Sequence, residues 1–431
     1  MIKDNYFASA VEFADHPMRN AKEGLKEAYL GTIEYFLKQI DITEHIKCRI
    51  AQYRQFLAVE KNDFQQNYLY IDEIIVCKFR PWRNKYKFWL ICDLALIVID
   101  YGLLEQMANE VKKLVSKRQG KAIDELLTML IGAHGELKRN YLIAAKSLIE
   151  QYSENREFFA MKEKRVIITA NMSAGKSTLV NAIIGLDIAR TSQEACTGNI
   201  SYFYNKAFDD GSIFLGTGSI ADVSECQKVH DFETDAPVSI AVGFKKSQGL
   251  NGRLCIVDSP GVDFAMNREH GRIAKKCIQE ESFDILLYVL DAHKIGTDAE
   301  IAYLKWLLER VPDSKVYFVL NKLDDYKASE DDIGASIEGV RNDLRRIGYK
   351  NPVVYPISAY FAFLVKKKSS GFPISEDEED DYEFYCKKLN KPEYDLSRYS
   401  GDRESVDCDY EGMLKKSGVY YLEKLFYGGA L

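Results

Sequence analysis

The chain has 431 residues, which exceeds the usual size of one domain and predicts two or three. Hydrophobic residues make up 46% of the sequence, charged residues make up 29%, and the formal net charge is −7. This balance is typical of a globular protein in water and excludes a general attraction to nucleic acid or anionic membranes, so we expect no nucleic-acid partner. The nine cysteines form no C-x-x-C pair and no signal peptide is visible, which favours reduced thiols and a cytoplasmic location.

Residues 1–160 have the periodicity of helices throughout. Leu25, Tyr29, Ile33 and Phe36 follow one another at intervals of three or four residues, which places them on one face of a helix. No part of this region has a pattern that predicts a strand. We therefore predict an all-α bundle, with further helices over 46–57, near 64–79, 85–117 and 121–133, and a long one from about Glu136.

Two stretches of this bundle allow a second interpretation. Phe88–Ile99 is strongly apolar, but it is shorter than the about 20 residues that span a bilayer and contains Asp93, so we predict a buried helix. Residues 78–87 alternate between basic and aromatic side chains. Such a segment either binds phospholipid headgroups or forms a loop between helices whose aromatic side chains pack on the bundle. The first alternative makes 78–89 a candidate peripheral membrane contact.

The region from Val166 to Gly185 predicts a strand, a loop and a helix in succession. The loop fits the pattern G-x-x-x-x-G-K-[ST] except that Ala170 replaces the first Gly; backbone N–H groups of such a loop surround a phosphate. Lys176 would reach the outer phosphates, and the Ser177 hydroxyl would bind Mg²⁺. The predicted nucleotide contacts are Asn171, Met172, Ser173, Ala174, Gly175, Lys176, Ser177 and Thr178.

Beyond this loop, short apolar runs alternate with helical segments, which predicts an α/β domain with a mainly parallel sheet flanked by helices. The predicted strands are 166–169, 200–204, 238–244, 254–257, 285–290, 316–320 and 353–356. The predicted helices are 177–185, 268–280, 298–310, 332–347 and 417–427.

The domain boundary is placed at residue 160, with the helical bundle over 1–160 and the α/β domain over 161–431. A polar turn separates the strands at 238–244 and 254–257, so we expect them to form an antiparallel hairpin. Inserts near 206–236 and 367–415 have no clear pattern. The acidic run 376–381 in the second insert is expected to be a solvated or disordered loop.

The motif Asn321-Lys322-Leu323-Asp324 follows an apolar strand and selects the base. The Asp324 carboxylate can accept two hydrogen bonds from guanine, from N1–H and the exocyclic amine, whereas adenine presents an acceptor at N1. A mismatch leaves buried polar groups unpaired at a cost of about 1–3 kcal/mol each. Lys322 would lie across the base and Asn321 would tie this loop to the phosphate loop. Ser358 and Ala359, after the next strand, fit a supporting element for guanine.

Two further segments carry residues expected to contact Mg²⁺ and the γ-phosphate. Asp258-Ser259-Pro260-Gly261 follows a strand and supplies D-x-x-G, in which Asp258 would hold Mg²⁺ and the Gly261 amide would contact the γ-phosphate. Between the first helix and the second strand, Thr197 is the favoured switch threonine, a ligand of Mg²⁺ and of the γ-phosphate. Thr191 and Ser192 remain alternatives.

These five elements in this order resemble the GTPase superfamily, and in detail the dynamin family, especially its bacterial members. The resemblance covers about 160–431 and rests on Ser173–Ser177, Asn181–Gly185, Ala195–Thr197, Asp258–Val262 and Ser417–Val419. It implies a GTPase with GTP or GDP and Mg²⁺ in its site, and a neck-like helix at the end of the bundle. It also implies nucleotide-dependent dimerisation, as a homodimer through GTPase domains or with a second dynamin-like subunit, that moves the bundle.

Several residues depart from the family pattern. Ala170 and Asn171 replace glycines common in eukaryotic members, Met172 replaces the Gln that positions water in those members, and Val262 provides no Gln after D-x-x-G. The expected catalytic set is therefore Lys176, Ser173, Thr197 and Gly261, with water placed by a backbone group, Ser173, a partner subunit or another switch residue. The alternative is a slow or non-hydrolysing guanine-nucleotide switch that acts on a partner protein or a membrane.

Overall fold

The computed structural model describes residues 6–59, 70–77, 84–132, 143–171, 173–189, 199–217, 220–223, 229, 236–261, 268–293, 296–327, 329–400 and 409–428. The chain forms two compact units. One combines residues 2–161 with 206–222, and the other combines 162–205 with 223–431. The α/β region of the sequence therefore contributes the segment 206–222 to the helical unit, a feature that the sequence did not predict.

The helical unit confirms the predicted all-α architecture of the N-terminal region. The predicted apolar face of the first helix is buried, with Tyr29, Ile33 and Phe36 fully enclosed in the core. A short π-helical turn spans Asp72–Val76. The α-helices are α1 (Glu23–Leu37), α2 (Glu44–Leu57), α3 (Tyr86–Val98), α4 (Tyr101–Lys113), α5 (Lys117–Leu130) and α6 (Lys146–Ala160).

The predicted helix over 85–117 is two helices rather than one. Ile99 adopts a positive φ of 56°, which an α-helix cannot continue. The Asp100 carboxylate then accepts a hydrogen bond from the Leu103 amide at 2.9 Å and caps α4. A side-chain cap that follows a left-handed residue thus divides one apolar stretch into α3 and α4.

Helix α3 is the buried centre of this unit, as predicted for Phe88–Ile99. Its Asp93 is fully enclosed and accepts hydrogen bonds from the hydroxyls of Tyr29 (2.5 Å) and Tyr53 (2.9 Å), while His16 Nε2 lies 3.1 Å from its Oδ1. These bonds replace the hydration that the carboxylate loses on burial. No helix in the described ranges is long and apolar enough to cross a membrane.

In the described part of the basic and aromatic stretch, Lys85 is exposed and the side chains that follow Tyr86 are buried in the helical unit. Lys87, Phe88 and Trp89 are buried, and the Lys85 ammonium lies 4.8 Å from the centroid of the Trp89 ring. This is the packing alternative, and it removes these aromatic side chains from contact with lipid. Residues 78–83 lie outside the described residues.

Seven strands of the second unit lie in the order β5-β2-β6-β1-β7-β8-β9. Neighbours in this order are parallel except for β2 and β6. The mainly parallel α/β domain is thereby confirmed. The strands in chain order are β1 (Glu163–Ala170), β2 (Ser201–Asn205), β3 (Ile213–Gly216), β4 (Ile220–Val223), β5 (Val238–Val242), β6 (Arg253–Asp258), β7 (Ile285–Asp291), β8 (Val316–Asn321) and β9 (Val354–Pro356).

The antiparallel hairpin predicted for 238–244 and 254–257 is wrong. Strand β2 lies between β5 and β6 and pairs with both, parallel to β5 and antiparallel to β6. The polar segment between β5 and β6 therefore crosses over one strand instead of turning tightly. Alternation of polar and apolar residues does not reveal which strand is the neighbour.

The loop predicted for the acidic run 376–381 is also wrong, because this run begins a helix. Ser375 and Glu378 form a capping box, and negative charge in a first turn complements the helix dipole. Lys367 holds Glu378 at 2.7 Å. The helices of this unit are α7 (Lys176–Ile184), α8 (Arg268–Glu280), α9 (Asp298–Leu308), α10 (Ile333–Ile347), α11 (Ala359–Ser369), α12 (Glu376–Leu389), α13 (Tyr410–Lys416) and α14 (Val419–Tyr427).

Candidate functional site

The phosphate loop connects buried β1 to the first turn of α7. Ser173 and Gly175 both adopt a left-handed conformation, with φ of 66° and 84°. Such residues turn successive backbone N–H groups toward one side, which creates a concave site for an anion at the helix N-terminus. Gly175 is required here, since a Cβ atom built on it would lie 2.3 Å from Asn321 Nδ2. Met172 lies outside the described residues.

Asn321 joins three loops of the candidate site. Its Nδ2 donates to the Ala174 carbonyl at 3.0 Å, and its Oδ1 accepts from the Ala359 amide at 3.1 Å. The side chain is buried, so neither partner can exchange this bond for water without opening the site. The link expected between the 321–324 motif and the phosphate loop is present, and it extends to Ser358 and Ala359.

Replacing this amide should destabilise the protein more than a surface amide does. We expect Asn321→Ala to lower the free energy of unfolding by about 2–4 kcal/mol, since two buried groups lose their partner. Asn342→Ala, at an exposed amide that accepts only from Arg345 one turn away, should change it by less than about 0.5 kcal/mol. Urea titration measures both values, and equal effects would contradict the linking role.

The phosphate-loop lysine and the D-x-x-G aspartate are in direct contact. Lys176 Nζ donates to Asp258 Oδ1, and both side chains are largely buried. The next residue, Ser259, donates its hydroxyl to the Ile168 carbonyl at 3.0 Å, which fixes this segment against β1. Gly261 follows two residues later at the same sheet edge. The structure thus brings the phosphate loop and D-x-x-G together.

Ser177 and Asp258 supply the hydroxyl and carboxylate oxygens that suit Mg²⁺. Ser177 stands in the first turn of α7, immediately after the lysine that contacts Asp258. The described ranges contain no group of three or more His, Cys, Asp or Glu side chains able to hold a metal ion. This donor set fits a cation held by few protein groups and by the phosphates of a ligand. Thr197 and its alternatives Thr191 and Ser192 lie outside the described residues, as does Val262.

Asn181 holds the chain that leads into the predicted switch region. Its Oδ1 accepts from the amides of Ile188 (3.0 Å) and Ala189 (2.7 Å), and its Nδ2 donates to the Ala189 carbonyl at 3.0 Å. These bonds anchor the segment before residue 190 to the phosphate-loop helix. The Asn of the sequence Asn-Ala-Ile-Ile-Gly at 181–185 therefore has a structural role, which is to hold the following segment against the helix.

The second residue of the base-selecting motif, Lys322, has a left-handed backbone. Lys322 has φ of 68°, and its ammonium lies 2.7 Å from Asp291 Oδ2 at the end of β7. Burial raises the pKa of Asp291, but hydrogen bonds from Lys322 and from the His293 amide outweigh this effect and lower it overall. The positive φ and the ion pair fix the Lys322 side chain against the end of β7.

Asp324 is a buried carboxylate beside another carboxylate. Burial and the neighbouring charge of Asp325 raise its pKa to about 6, although a hydrogen bond from Ser358 and the charge of Lys388 oppose the rise. Only 6% of this residue is exposed. Burial of this charged acceptor lowers the stability of the folded protein. The same carboxylate is well suited to accept hydrogen bonds from two donors of a ligand.

Sequence reasoning missed three side chains around this motif. Asp291 pairs with Lys322, Lys388 donates to the Asp324 carbonyl, and Tyr385 lies beside Asp325. Asp291 directly follows the predicted strand 285–290, which is a signal that could have identified it. Tyr385 and Lys388 lie in the insert 367–415, in which the sequence has no clear pattern that marks them.

Comparisons with known proteins agree with this arrangement. Residues 166–323 match the profile of the Dynamin family. The chain is 24% identical over 233 residues to a probable transmembrane GTPase, FZO-like and chloroplastic, of Arabidopsis thaliana, which covers 53% of this chain and 22% of that protein. It is 24% identical over 202 residues to dynamin-like protein A of Bacillus subtilis, which covers 46% of this chain and 16% of that protein.

The chain therefore spans about a fifth of the length of these curated relatives, 22% and 16%. Among solved structures, it is similar to one described as an oligomerised bacterial dynamin pair that provides a mechanism for long-range sensing and tethering of membranes. That similarity covers 96% of this chain and 73% of the other, at 15% identity and a TM-score of 0.38.

Proposed function

We propose that this chain, which carries the GTPase domain of the dynamin family, binds GTP with Mg²⁺ and hydrolyses it to GDP and phosphate. The observation that supports this most strongly is the link made by Asn321 between the phosphate loop and the guanine-selecting loops. Strands β1, β6, β8 and β9 run in one direction, so the loops after them meet at one edge of the sheet. This is where open α/β sheets bind their ligands.

Guanine specificity is assigned to Asp324 and its neighbours. The buried carboxylate would accept hydrogen bonds from guanine N1–H and the exocyclic amine, with Lys322 across the base and Ser358 and Ala359 at its edge. Adenine would place an acceptor against the carboxylate and leave it unpaired, which costs about 1–3 kcal/mol for each group. The site should therefore reject ATP.

Phosphate binding is assigned to residues 171–178, in which Lys176 would leave Asp258 and contact the β- and γ-phosphates. Ser177, Asp258 and Thr197 would hold Mg²⁺, which neutralises charge on the phosphates when it is bound. The Gly261 amide would donate to the γ-phosphate, and Ser173 is placed to orient water. Preorganised donors of this kind stabilise the charge of the transition state.

The segment 206–222 is the proposed route from the nucleotide to the helical unit. Within that unit the Asp210 carboxylate accepts from the Val11 amide at 2.9 Å, and Lys206 pairs with it at 2.8 Å. The Phe214 ring lies under the Arg49 guanidinium, 5.1 Å from its centroid. The segment continues directly from β2, and β2 follows the predicted switch region. Ordering of the switch region would therefore displace 206–222 and, with it, the helical unit.

Nucleotide-dependent association of GTPase domains completes the proposal, as a homodimer or with a second dynamin-like subunit. The resemblance to the dynamin family supports this association. In addition, Met172 replaces the water-positioning Gln, and a partner would supply the missing group. The slow or non-hydrolysing switch remains the second candidate on the strength of the same residue. Peripheral membrane contact would depend on residues 78–83, since Phe88 and Trp89 are buried.

Phosphate release measured against protein concentration separates these candidates. We expect micromolar binding of GDP and GTP, no measurable binding of ATP, and a rate per molecule that rises with concentration as dimers form. Light scattering in GDP and in GDP with aluminium fluoride should show a dimer only in the second. A rate that stays at background at every concentration would favour the switch, and binding of ATP without GTP would overturn the proposal.

A further inference from the structure

Helix α12 contacts the base-selecting loop Asn321–Asp324. Lys388, near the end of α12, donates from Nζ to the backbone carbonyl of Asp324. The same ammonium lies 4.8 Å from the centroid of the Tyr394 ring and 5.7 Å from that of Phe384. Two aromatic rings and a carbonyl therefore fix this lysine, although most surface lysines move freely.

A second side chain of α12 contacts the same loop. Tyr385 lies beside Asp325, and burial together with the charges of Asp324 and Asp325 raises the pKa of its hydroxyl. The hydroxyl therefore stays protonated at physiological pH. Lys388 and Tyr385 of one helix therefore contact two consecutive aspartates of the base-selecting loop.

We propose that Lys388 is a positioning residue for guanine recognition, which fixes the direction of the Asp324 carboxylate by holding the backbone of that same residue, with Tyr385 as its support. This inference rests on the proposed function, since it concerns how the guanine-binding loop is held. Two donors on one base require a carboxylate in one orientation, and a loop free to rotate would satisfy only one of them. Lys388 is not placed to touch the base itself.

The charges around Asp324 give the proposal a second consequence. The groups that face it are Asp325 from its own loop, Ser358 from the start of α11, and Tyr385 and Lys388 from α12; His293 lies 3.9 Å from Asp325. Asp325 raises the pKa of Asp324, while Ser358 and Lys388 lower it. Without Lys388 the carboxylate would take up its proton at higher pH and would lose its capacity to accept from guanine.

The test compares three variants in the binding of GDP and of inosine diphosphate, whose base lacks the exocyclic amine. Lys388→Met should weaken GDP binding about three- to tenfold at pH 7, because it removes a charge-assisted bond to the loop. Binding of inosine diphosphate should weaken less, so the preference for GDP shrinks. The acidic limit of GDP binding, measured by calorimetry from pH 5.5 to 8, should move to higher pH.

Two matched variants separate positioning from general damage. Lys388→Arg keeps a cationic donor and should restore the preference for GDP. Lys387→Met removes the adjacent lysine, which is 78% exposed and pairs only with Glu383 at 3.5 Å, and should leave both ligands unchanged. Thermal unfolding of each variant identifies loss of fold.

Each outcome decides between the two proposals. If the wild-type protein binds GDP and Lys388→Met changes neither the preference nor the pH limit, the positioning role is wrong and the proposed function stands. Equal weakening of both diphosphates would also overturn it, since a general disturbance would account for that result. If the wild-type protein binds no guanine nucleotide, the proposed function and this inference both fail.

Discussion

Asp324→Asn is expected to abolish measurable GDP binding and at the same time to stabilise the unliganded protein. In the proposed site the carboxylate would accept two donors from guanine, and an amide nitrogen in its place would face the guanine amine with a second donor. One hydrogen bond to a charged acceptor is lost, at about 1.5–3 kcal/mol, and the guanine amine is left unpaired at about 1–3 kcal/mol, which together predict a reduction in affinity of about 100-fold. Xanthosine diphosphate, which presents a carbonyl in place of the amine, should bind the variant better than GDP does.

The stabilisation follows from the electrostatics of the same site. The pKa of Asp324 is about 6 in the folded protein, against an ordinary value of 3.8. Between these values the folded state binds more protons than the unfolded state, so the free energy of unfolding falls as pH rises and stays low above pH 6. Since one pKa unit corresponds to 1.36 kcal/mol, the penalty at neutral pH is at most about 3 kcal/mol.

Denaturant titration of both proteins at pH 7.5 and at pH 4 measures this effect. The variant should be the more stable protein at pH 7.5, and the difference should shrink at pH 4, where the wild-type carboxyl carries its proton. Asp325→Asn is the matched control. It removes a half-exposed neighbour, should retain GDP binding, and should extend that binding to lower pH, because Asp325 raises the pKa of Asp324. If Asp324→Asn bound GDP as tightly as the wild type does, Asp324 would not be part of the nucleotide site.

Lys176→Ala should eliminate binding of every nucleoside triphosphate and diphosphate. The lysine is the one side chain of the loop expected to carry a positive charge to the outer phosphates, and charge-assisted bonds of this kind are about twice as strong as neutral ones. We expect the Kd for both GTP and GDP to rise more than about 100-fold. Calorimetry at equal protein concentration measures this rise.

Lys162→Ala provides the control for a lost lysine. Its ammonium pairs with Asp284 at 3.1 Å, and its side chain is 85% exposed, so its removal should leave nucleotide binding and stability almost unchanged. If Lys176→Ala retained a GDP affinity near that of the wild type, the phosphate loop would not be the binding site. The Asp258 carboxylate, which accepts from Lys176, would then need another role.

Local motifs of the sequence predicted the resemblance to the dynamin family and most elements of the α/β domain. Each motif, such as Gly175-Lys176-Ser177 or Asn321–Asp324, consists of a few consecutive residues at the end of a strand. A short stretch of sequence is therefore enough to predict its function. The buried helix at Phe88–Ile99 was also predictable, since apolar length and composition decide between a core and a bilayer.

Only the tertiary structure decided which distant segments meet. The insertion of β2 between β5 and β6, the assignment of 206–222 to the helical unit, and the contact of Lys388 with Asp324 all join residues far apart in the chain. Periodicity in the sequence shows which face of a helix or strand is apolar. It does not show which other element covers that face. The acidic run 376–381 shows the same limit, because a capping box and the lysines of α11 stabilise a helix that composition alone assigns to solvent.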